Sequence, residues 1–399
     1  MTMTADLPVL TAEQLEIRAM AREFAAGEIR PHAEAWDAAR QLPDEIFRKV
    51  AELGFMGMRV PEEHGGLGLD LTTTLLTLEA LAWGDASVAL SVLIHGGPVS
   101  TCVLEWGTDA QKGAWLPSMA SGETLGAFAL TEPEAGSDAT SLRAIATPDG
   151  EGWTIRGTKS WVTNGSRADL LLVFARTGAP DSGAAGLSAF LVPGDAPGIE
   201  VGERERTLGM AASESATLQF QDVRVGAEAL LGSEGEGWSV ARSALVIGRL
   251  MVAAQALGIA EAAYEHALRY GGEREQFGRP LSGFGAVQEK LAGMAIRIAG
   301  ARALLLQTAA RAEGEDPGSA LAFPSSLHSA AAMAKVAASE AAMWTSDEAV
   351  QIFGGYGYMR DYPVERLMRD AKGTEIYEGT NEVLRWIVAR DAIREHAGD

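Results

Sequence analysis

From Thr11 onward apolar residues recur at helical spacing. Ile17, Met20 and Phe24 fall on one face, Thr11 with Gln14 reads as a capping box, and Pro31 follows the expected end. Helical patterning continues, with breaks, to about Ser121. Leu42-Pro43-Asp44-Glu45 reads as a turn that starts another helix, and Pro61-Glu62-Glu63-His64-Gly65-Gly66-Leu67-Gly68 as a glycine-rich loop. The texture changes near Gly122. Trp153-Thr154-Ile155, Leu170-Leu171-Leu172-Val173-Phe174 and Ala189-Phe190-Leu191-Val192 are short apolar segments separated by turn residues, and Leu218, Phe220, Val223 and Val225 nearly alternate. From Trp238 long alanine- and leucine-rich periodic stretches return, broken at Gly271-Gly272, at 314–317 and at 354–357. Four to five long helices with short connections predict a bundle. The expected organisation is an N-terminal helical domain over 1–122, a middle β domain over 123–237 and a C-terminal helical bundle over 238–399.

Composition narrows the function classes. With 399 residues, 47% of them hydrophobic and 22% charged, the chain has enough apolar material for two or three domains sharing substantial cores. Its formal charge of −21 disfavours nucleic acid and anionic membrane surfaces as partners, though local arginines can still hold an anionic cofactor. Cys102 is the single cysteine, so an intrachain disulfide and a cysteine-ligated cluster are both excluded, which fits a reducing, cytoplasmic setting. No secretory pattern is read at the N-terminus. The apolar runs at 88–94 and 244–260 carry flanking or internal charge and read as buried core helices, with no membrane insertion expected.

The chemistry-bearing motifs are few. Gly354-Gly355-Tyr356-Gly357 lacks the glycine spacing of a dinucleotide fingerprint and follows no strand, phosphate loops and nucleophile elbows are absent, and the six histidines lack metal-ligand spacing. No metal site is expected. The segment 128–138 mixes small hydrogen-bonding residues with glycine, which suits a loop whose amides approach a ligand, and equally a tight β turn. Trp161, beside hydroxyl residues, suits stacking on a planar cofactor, although a core tryptophan is the commoner alternative. Glu378, between Tyr377 and Gly379, is a lone carboxylate. Held against an apolar surface it would have a raised pKa and could remove a proton from a carbon acid; on its own, a solvated loop glutamate is the commoner reading.

Taken together, these motifs resemble the acyl-CoA dehydrogenase family from end to end. Thr131-Glu132-x-x-Ala135-Gly136-Ser137-Asp138 is similar to its first signature. Gln351-x-x-Gly354-Gly355-x-Gly357-Tyr358, with Asp361, Arg366 and Asp370, is similar to its second. Arg274-x-Gln276-Phe277-Gly278 resembles an Arg-x-x-Phe-Gly element, and Tyr377-Glu378-Gly379-Thr380 the segment bearing the catalytic base. The resemblance implies a mainly α fold: an N-terminal helical domain, a middle β-barrel-like domain and a C-terminal four-helix bundle.

It also implies roles. FAD is held by Phe128, Leu130, Thr131, Gly136 and Ser137, and by Trp161, Val162 and Thr163, with the Thr163 hydroxyl near the reactive flavin nitrogen. Across a subunit boundary, Arg274 and Phe277 meet its pyrophosphate region, Gln351, Gly354 and Gly355 approach its adenine half, and Gln288 matches a further family contact; Thr380 and Glu382 line the same dinucleotide. Glu378 is the base, its backbone N–H helps hold the thioester oxygen, and Ser137, Arg249, Tyr377 and Gly379 contact the substrate. The implied reaction is α,β-dehydrogenation of an acyl-CoA, with electrons passed to an electron-transferring flavoprotein by a homo-oligomer, usually a tetramer. An acyl-CoA oxidase, a dehydrogenase acting on an acyl carrier protein and a non-catalytic flavin-binding protein are the alternatives. Some relatives carry the base at the position of Gly248. A glycine there, with 253–258, resembles the short-chain branch and implies short- to medium-chain substrates. Gly285, Ala211 and Glu214 depart from the family pattern, and the segment 314–326 is expected to be longer than usual.

Overall fold

The computed structural model describes residues 10–314 and 324–397. The expected long segment at 314–326 therefore falls mostly outside the described residues. Among the described residues seven α-helices come first: α1 (Ala12–Phe24), α2 (Ala33–Ala39), α3 (Asp44–Glu52), α4 (Leu71–Gly84), α5 (Ala86–Ile94), α6 (Ser100–Trp106) and α7 (Asp109–Ala120). Helix starts follow local chemistry. Thr11 and Gln14 form the reciprocal capping box on α1, and the Asp85 carboxylate accepts from the N–H groups of Ser87 and Val88 to start α5. Ile17 and Phe24 pack on the core as the periodicity predicts, but Met20 stays 41% exposed.

Between α5 and α6 the helix takes a π-type turn, His95–Val99, which accommodates Pro98. His95 is completely buried there. Its Nδ1 accepts from the Gly126 N–H at 2.9 Å, and Nε2 lies 3.1 Å from the Met119 carbonyl. The imidazole thus stitches the helical layer to the first strand.

Eight strands follow: β1 (Gly126–Ala129), β2 (Ile145–Asp149), β3 (Gly152–Thr163), β4 (Leu170–Arg176), β5 (Leu187–Pro193), β6 (Ile199–Arg204), β7 (Ser215–Gly226) and β8 (Leu230–Leu231). They run in the order β6-β7-β3-β2-β4-β5-β8, with β1 parallel beside β4. The near-alternation of Leu218, Phe220, Val223 and Val225 slips phase once. There the β3–β7 ladder shifts register and Asp222 adopts φ 55°, so Phe220 and Val223 both face inward.

The remaining elements are α8 (Gly237–Glu273), a two-stranded ribbon of β9 (Glu275–Gln276) and β10 (Arg279–Pro280), α9 (Gly285–Gly314), α10 (Ser325–Phe353), α11 (Pro363–Thr374) and α12 (Asn381–Ala397). The helices share one core with the N-terminal layer, centred on α8 against α4. Their approach depends on Gly258: a Cβ there would sit 2.3 Å from the Glu79 carbonyl oxygen. Arg302 of α9 closes the seam, its Nη2 donating at 2.6 Å to Glu79 of α4 and at 2.5 Å to Glu261 of α8. Two apolar helical stretches, 86–106 and 237–273, are long enough to cross a membrane, yet 94% of the most apolar 18-residue window in each is buried within the protein. Both are core.

Candidate active site

α11 stops at Thr374, and the turn before α12 carries Glu378 at φ 56° and Gly379 at φ 98°. A left-handed glutamate is costly, and here surrounding contacts hold it. Arg249 of α8 donates from Nε to the Glu378 carbonyl at 3.3 Å. Lys335 of α10, with no exposed surface, donates from Nζ to the Gly379 carbonyl and to Asn381 Oδ1, both at 2.9 Å. Asn381 is pinned in turn by Ser339. Two cations therefore grip consecutive peptide carbonyls of the turn.

The side chain points against α8 at Gly248. A Cβ at that position would lie 2.8 Å from the Glu378 Cδ, so only glycine leaves room for the carboxylate. Glu378 keeps some surface as a whole residue, but its Oε2 is sealed and has no hydrogen-bond partner. Burial pushes the carboxyl up to about 7, with Arg249 and Lys335 opposing that rise. Desolvation likewise pulls the buried Lys335 ammonium down to about 7 and Arg249 to about 10, and Glu378 opposes both shifts. Tyr377 turns the other way, its hydroxyl donating to Gln255 Oε1 at 2.7 Å and lying 3.5 Å from the Met210 sulfur. Met210 belongs to the loop preceding β7, and its N–H is held by the buried Asp370 carboxylate, which burial raises to about 7. The β domain and α11 meet beside the base.

The segment 128–138 is both a turn and an open cradle. Glu132 and Ala135 exchange backbone hydrogen bonds at 3.1 Å, while Gly136 and Ser137 stay exposed. Behind it lies an ion pair: Lys159 Nζ donates to Glu132 Oε1 at 2.7 Å and to the Leu130 carbonyl at 3.0 Å, and Glu132 also accepts from the N–H groups of Arg143 and Ala144. Burial lowers Lys159 to about 8 even so, with Glu132 opposing. Ser160 N–H closes the latch on the Thr131 carbonyl at 2.9 Å. Phe128 packs tilted on Phe174, and Leu130 and Val162 are buried. The core alternative for Trp161 is overturned. A register shift between Lys159 and Val162 and a φ of 56° turn its indole outward, 59% exposed, with Thr163 half-buried two residues on.

Of the other cofactor-assigned residues, Arg274, Phe277, Gln288, Gln351, Gly354 and Gly355 lie on the surface, while Thr380 and Glu382 follow the Glu378 turn. Arg274 caps the end of α8 and has no carboxylate within 4 Å among the described residues; its guanidinium lies 5.6 Å from the Tyr356 ring. Stacking of Tyr270 on Phe353, centroids 4.0 Å apart, brings this ribbon to the 354–358 turn. Phe277 is 94% exposed at φ 53°. Gln351, Gly354 and Gly355 are exposed, and nothing within 4 Å would meet a Cβ on either glycine. Gln288 is exposed and bonds to the Ser282 carbonyl, Thr380 is half-buried, and Glu382 is exposed. An outward indole, an open-backed glycine pair and an unpaired guanidinium fit a large, flat, anionic cofactor.

Lys335 and the Lys159–Glu132 ion pair are not evident in the sequence, although Glu132 itself lies in the first signature. A lone lysine inside an alanine-rich buried run was the available signal for Lys335. Nothing local marks Glu132 and Lys159 as partners, since they meet only where the Ser160 N–H bonds to the Thr131 carbonyl between two segments far apart in the chain. Among the departures, Glu214 is buried and accepts from Ser166 while pairing with Arg204, so it serves the loop's own structure.

Sequence models for the acyl-CoA dehydrogenase N-terminal, middle and C-terminal domains match residues 11–123, 127–223 and 235–393. An acyl-CoA dehydrogenase of Bacillus subtilis is 44% identical over 96% of this chain and 98% of its own. The structure of butyryl-CoA dehydrogenase from Megasphaera elsdenii superposes with a TM-score of 0.92 at 40% identity, covering 97% of this chain and all of that one. A chain solved in work on the electron transferring flavoprotein of Acidaminococcus fermentans gives 0.92 at 42% identity, covering 97% and 99%. The chain belongs to the acyl-CoA dehydrogenase family. It is an oxidoreductase of a family that depends on FAD.

Proposed function

We propose that the protein oxidises a short- to medium-chain acyl-CoA to its trans-2-enoyl thioester, with Glu378 as the base and an electron-transferring flavoprotein as acceptor. The observation that carries this reading is the sealed, unpartnered Glu378 Oε2 beside Gly248. Bound FAD would supply the acceptor for the hydride leaving the β carbon. The chain's own part is the proton: as the Cα–H bond breaks, Oε2 takes the proton and the carbon keeps the electron pair. A pKa near 7 suits a base that must be ionised at working pH yet hold a proton well.

Arg249 and Lys335 fix the backbone on either side of the carboxylate, and the same fixed turn presents the Glu378 N–H to the thioester oxygen, where negative charge grows. Trp161, Thr163 and the cradle at 128–138 would hold the isoalloxazine end, and Arg274 and Phe277 the pyrophosphate of a neighbouring subunit's cofactor in a homotetramer. The Gly248 pattern and the butyryl-CoA dehydrogenase likeness support a short acyl group. Glu378→Gln tests the reading: flavin stays bound and turnover falls by at least about 10²-fold, the usual scale of general base catalysis. Near-normal turnover in that variant rejects the assignment.

A further inference from the structure

A second cavity, of about 600 Å³, opens where the N-terminal layer, the loop before β7 and α11 meet. None of the residues assigned above to flavin or thioester lines it. Six guanidiniums do, those of Arg30, Arg40, Arg206, Arg360, Arg366 and Arg369, against three carboxylates, on a chain whose formal charge is −21.

Half of those cations are already engaged. Arg369 is gripped by Glu365 at 2.7 Å and Asp37 at 2.9 Å, which accounts for two of the three carboxylates. Arg40 donates to the Glu205 carbonyl at 2.7 Å, and Arg30 pairs with Glu265 at 3.3 Å while lying over the Trp83 ring at 3.9 Å. The other three differ. Arg206 and Arg360 are exposed at the rim, and no carboxylate lies within 4 Å of either among the described residues. Arg366 lies deeper, where its charge favours the buried carboxylates of Asp85 and Asp370, yet its Nε and Nη1 are buried without any hydrogen-bond partner. Leaving two buried guanidinium nitrogens without a hydrogen-bond partner is costly, and an anion would meet them.

We propose that this cavity binds a phosphate-bearing small molecule of the nucleotide class, its phosphates held by Arg206, Arg360 and Arg366. Guanidinium forks match phosphate oxygens in pairs. The volume lies within the range of small-molecule sites, and Tyr362, Pro31 and Leu208 supply apolar and aromatic wall for a planar body. Because Arg30, Arg206 and Arg366 come from the N-terminal layer, the β domain and the C-terminal helices, a bound ligand would tie all three together.

The test is calorimetric titration of the flavin-loaded protein with ADP, pyrophosphate and inorganic phosphate, alone and with saturating CoA. ADP binding is expected to persist in CoA and to weaken at least about tenfold in Arg206→Ala/Arg360→Ala, the scale of one lost charge-assisted bond. A lysine pair should restore it in part, and acyl-CoA turnover should stay at the wild-type level in both variants. Displacement of ADP by CoA would place it in the thioester site and overturn the proposal. So would equal affinity in the alanine variant, no heat of binding at millimolar ADP, or weak uptake of phosphate and ADP alike that chloride displaces, which means an adventitious ion only.

Discussion

The base pocket and the flavin-signature surface of this protein are built on opposite plans. Around Glu378 everything is closed: the carboxylate oxygen is sealed, a glycine makes its space, and two buried cations fix its backbone. Around Arg274 everything is open, with a nearly fully exposed phenylalanine, exposed glycines and an unpaired guanidinium. The contrast separates what one chain completes alone from what it offers outward. Proton chemistry needs low dielectric and precise placement, so its parts come prepacked. A surface with such exposed aromatic and cationic groups is finished only when something covers it.

Filling the closed side should do the most damage. Gly248→Leu would displace the Glu378 carboxylate, so turnover should fall by about 10²-fold or more while flavin absorbance is kept. Steady-state rates and spectra on one sample check both halves. On the open side, Arg274→Ala should weaken flavin retention by about tenfold, the scale of one charge-assisted bond, measured as flavin released on dialysis. If alanine at 274 instead lowered turnover with flavin fully retained, the division between the two regions would fail.

Acyl chain length probes the pocket more finely. Each buried methylene contributes about 0.8 kcal/mol, so kcat/KM should rise about fourfold per carbon until the pocket ends, at or below about ten acyl carbons for a short- to medium-chain enzyme. A dye-coupled series up to palmitoyl-CoA locates the break.

The smallest effect concerns charge. The base works deprotonated, so kcat/KM should fall as pH drops through about 7. Lys335 favours the carboxylate; Lys335→Met should move that acid limb to higher pH, and Lys335→Arg should leave it nearer its place. A change in kcat with an unmoved limb would reduce Lys335 to a packing role.

The helix, β, helix order was legible because periodicity reports it directly, down to the capping box at Thr11. The phase slip in β7 was present as two residues between Phe220 and Val223, but only the ladder shows the bulge that reconciles it. Glu378 drew attention through its neighbours, whereas its sealing by Gly248 joins positions 130 residues apart that no local pattern connects. Trp161 illustrates the reverse failure: composition favours a buried indole, and a single left-handed residue turns it out. Lys335 was hidden because a lysine in an alanine-rich helix ordinarily marks the solvent face, and here it marks the most enclosed one.

The imidazole in the π-type turn sets how the molecule meets acid. His95 must stay neutral to accept from Gly126, and burial lowers its pKa from 6.5 to about 4. Because an unfolded chain takes up that proton first, its contribution is whole above about 6.5 and drains away as pH falls toward 4, at up to about 1.4 kcal/mol per unit. The joint between helices and sheet is thus indifferent to pH in neutral surroundings, and acid loosens the weld between its layers only well below the pH at which the catalytic carboxylate has already taken up its proton.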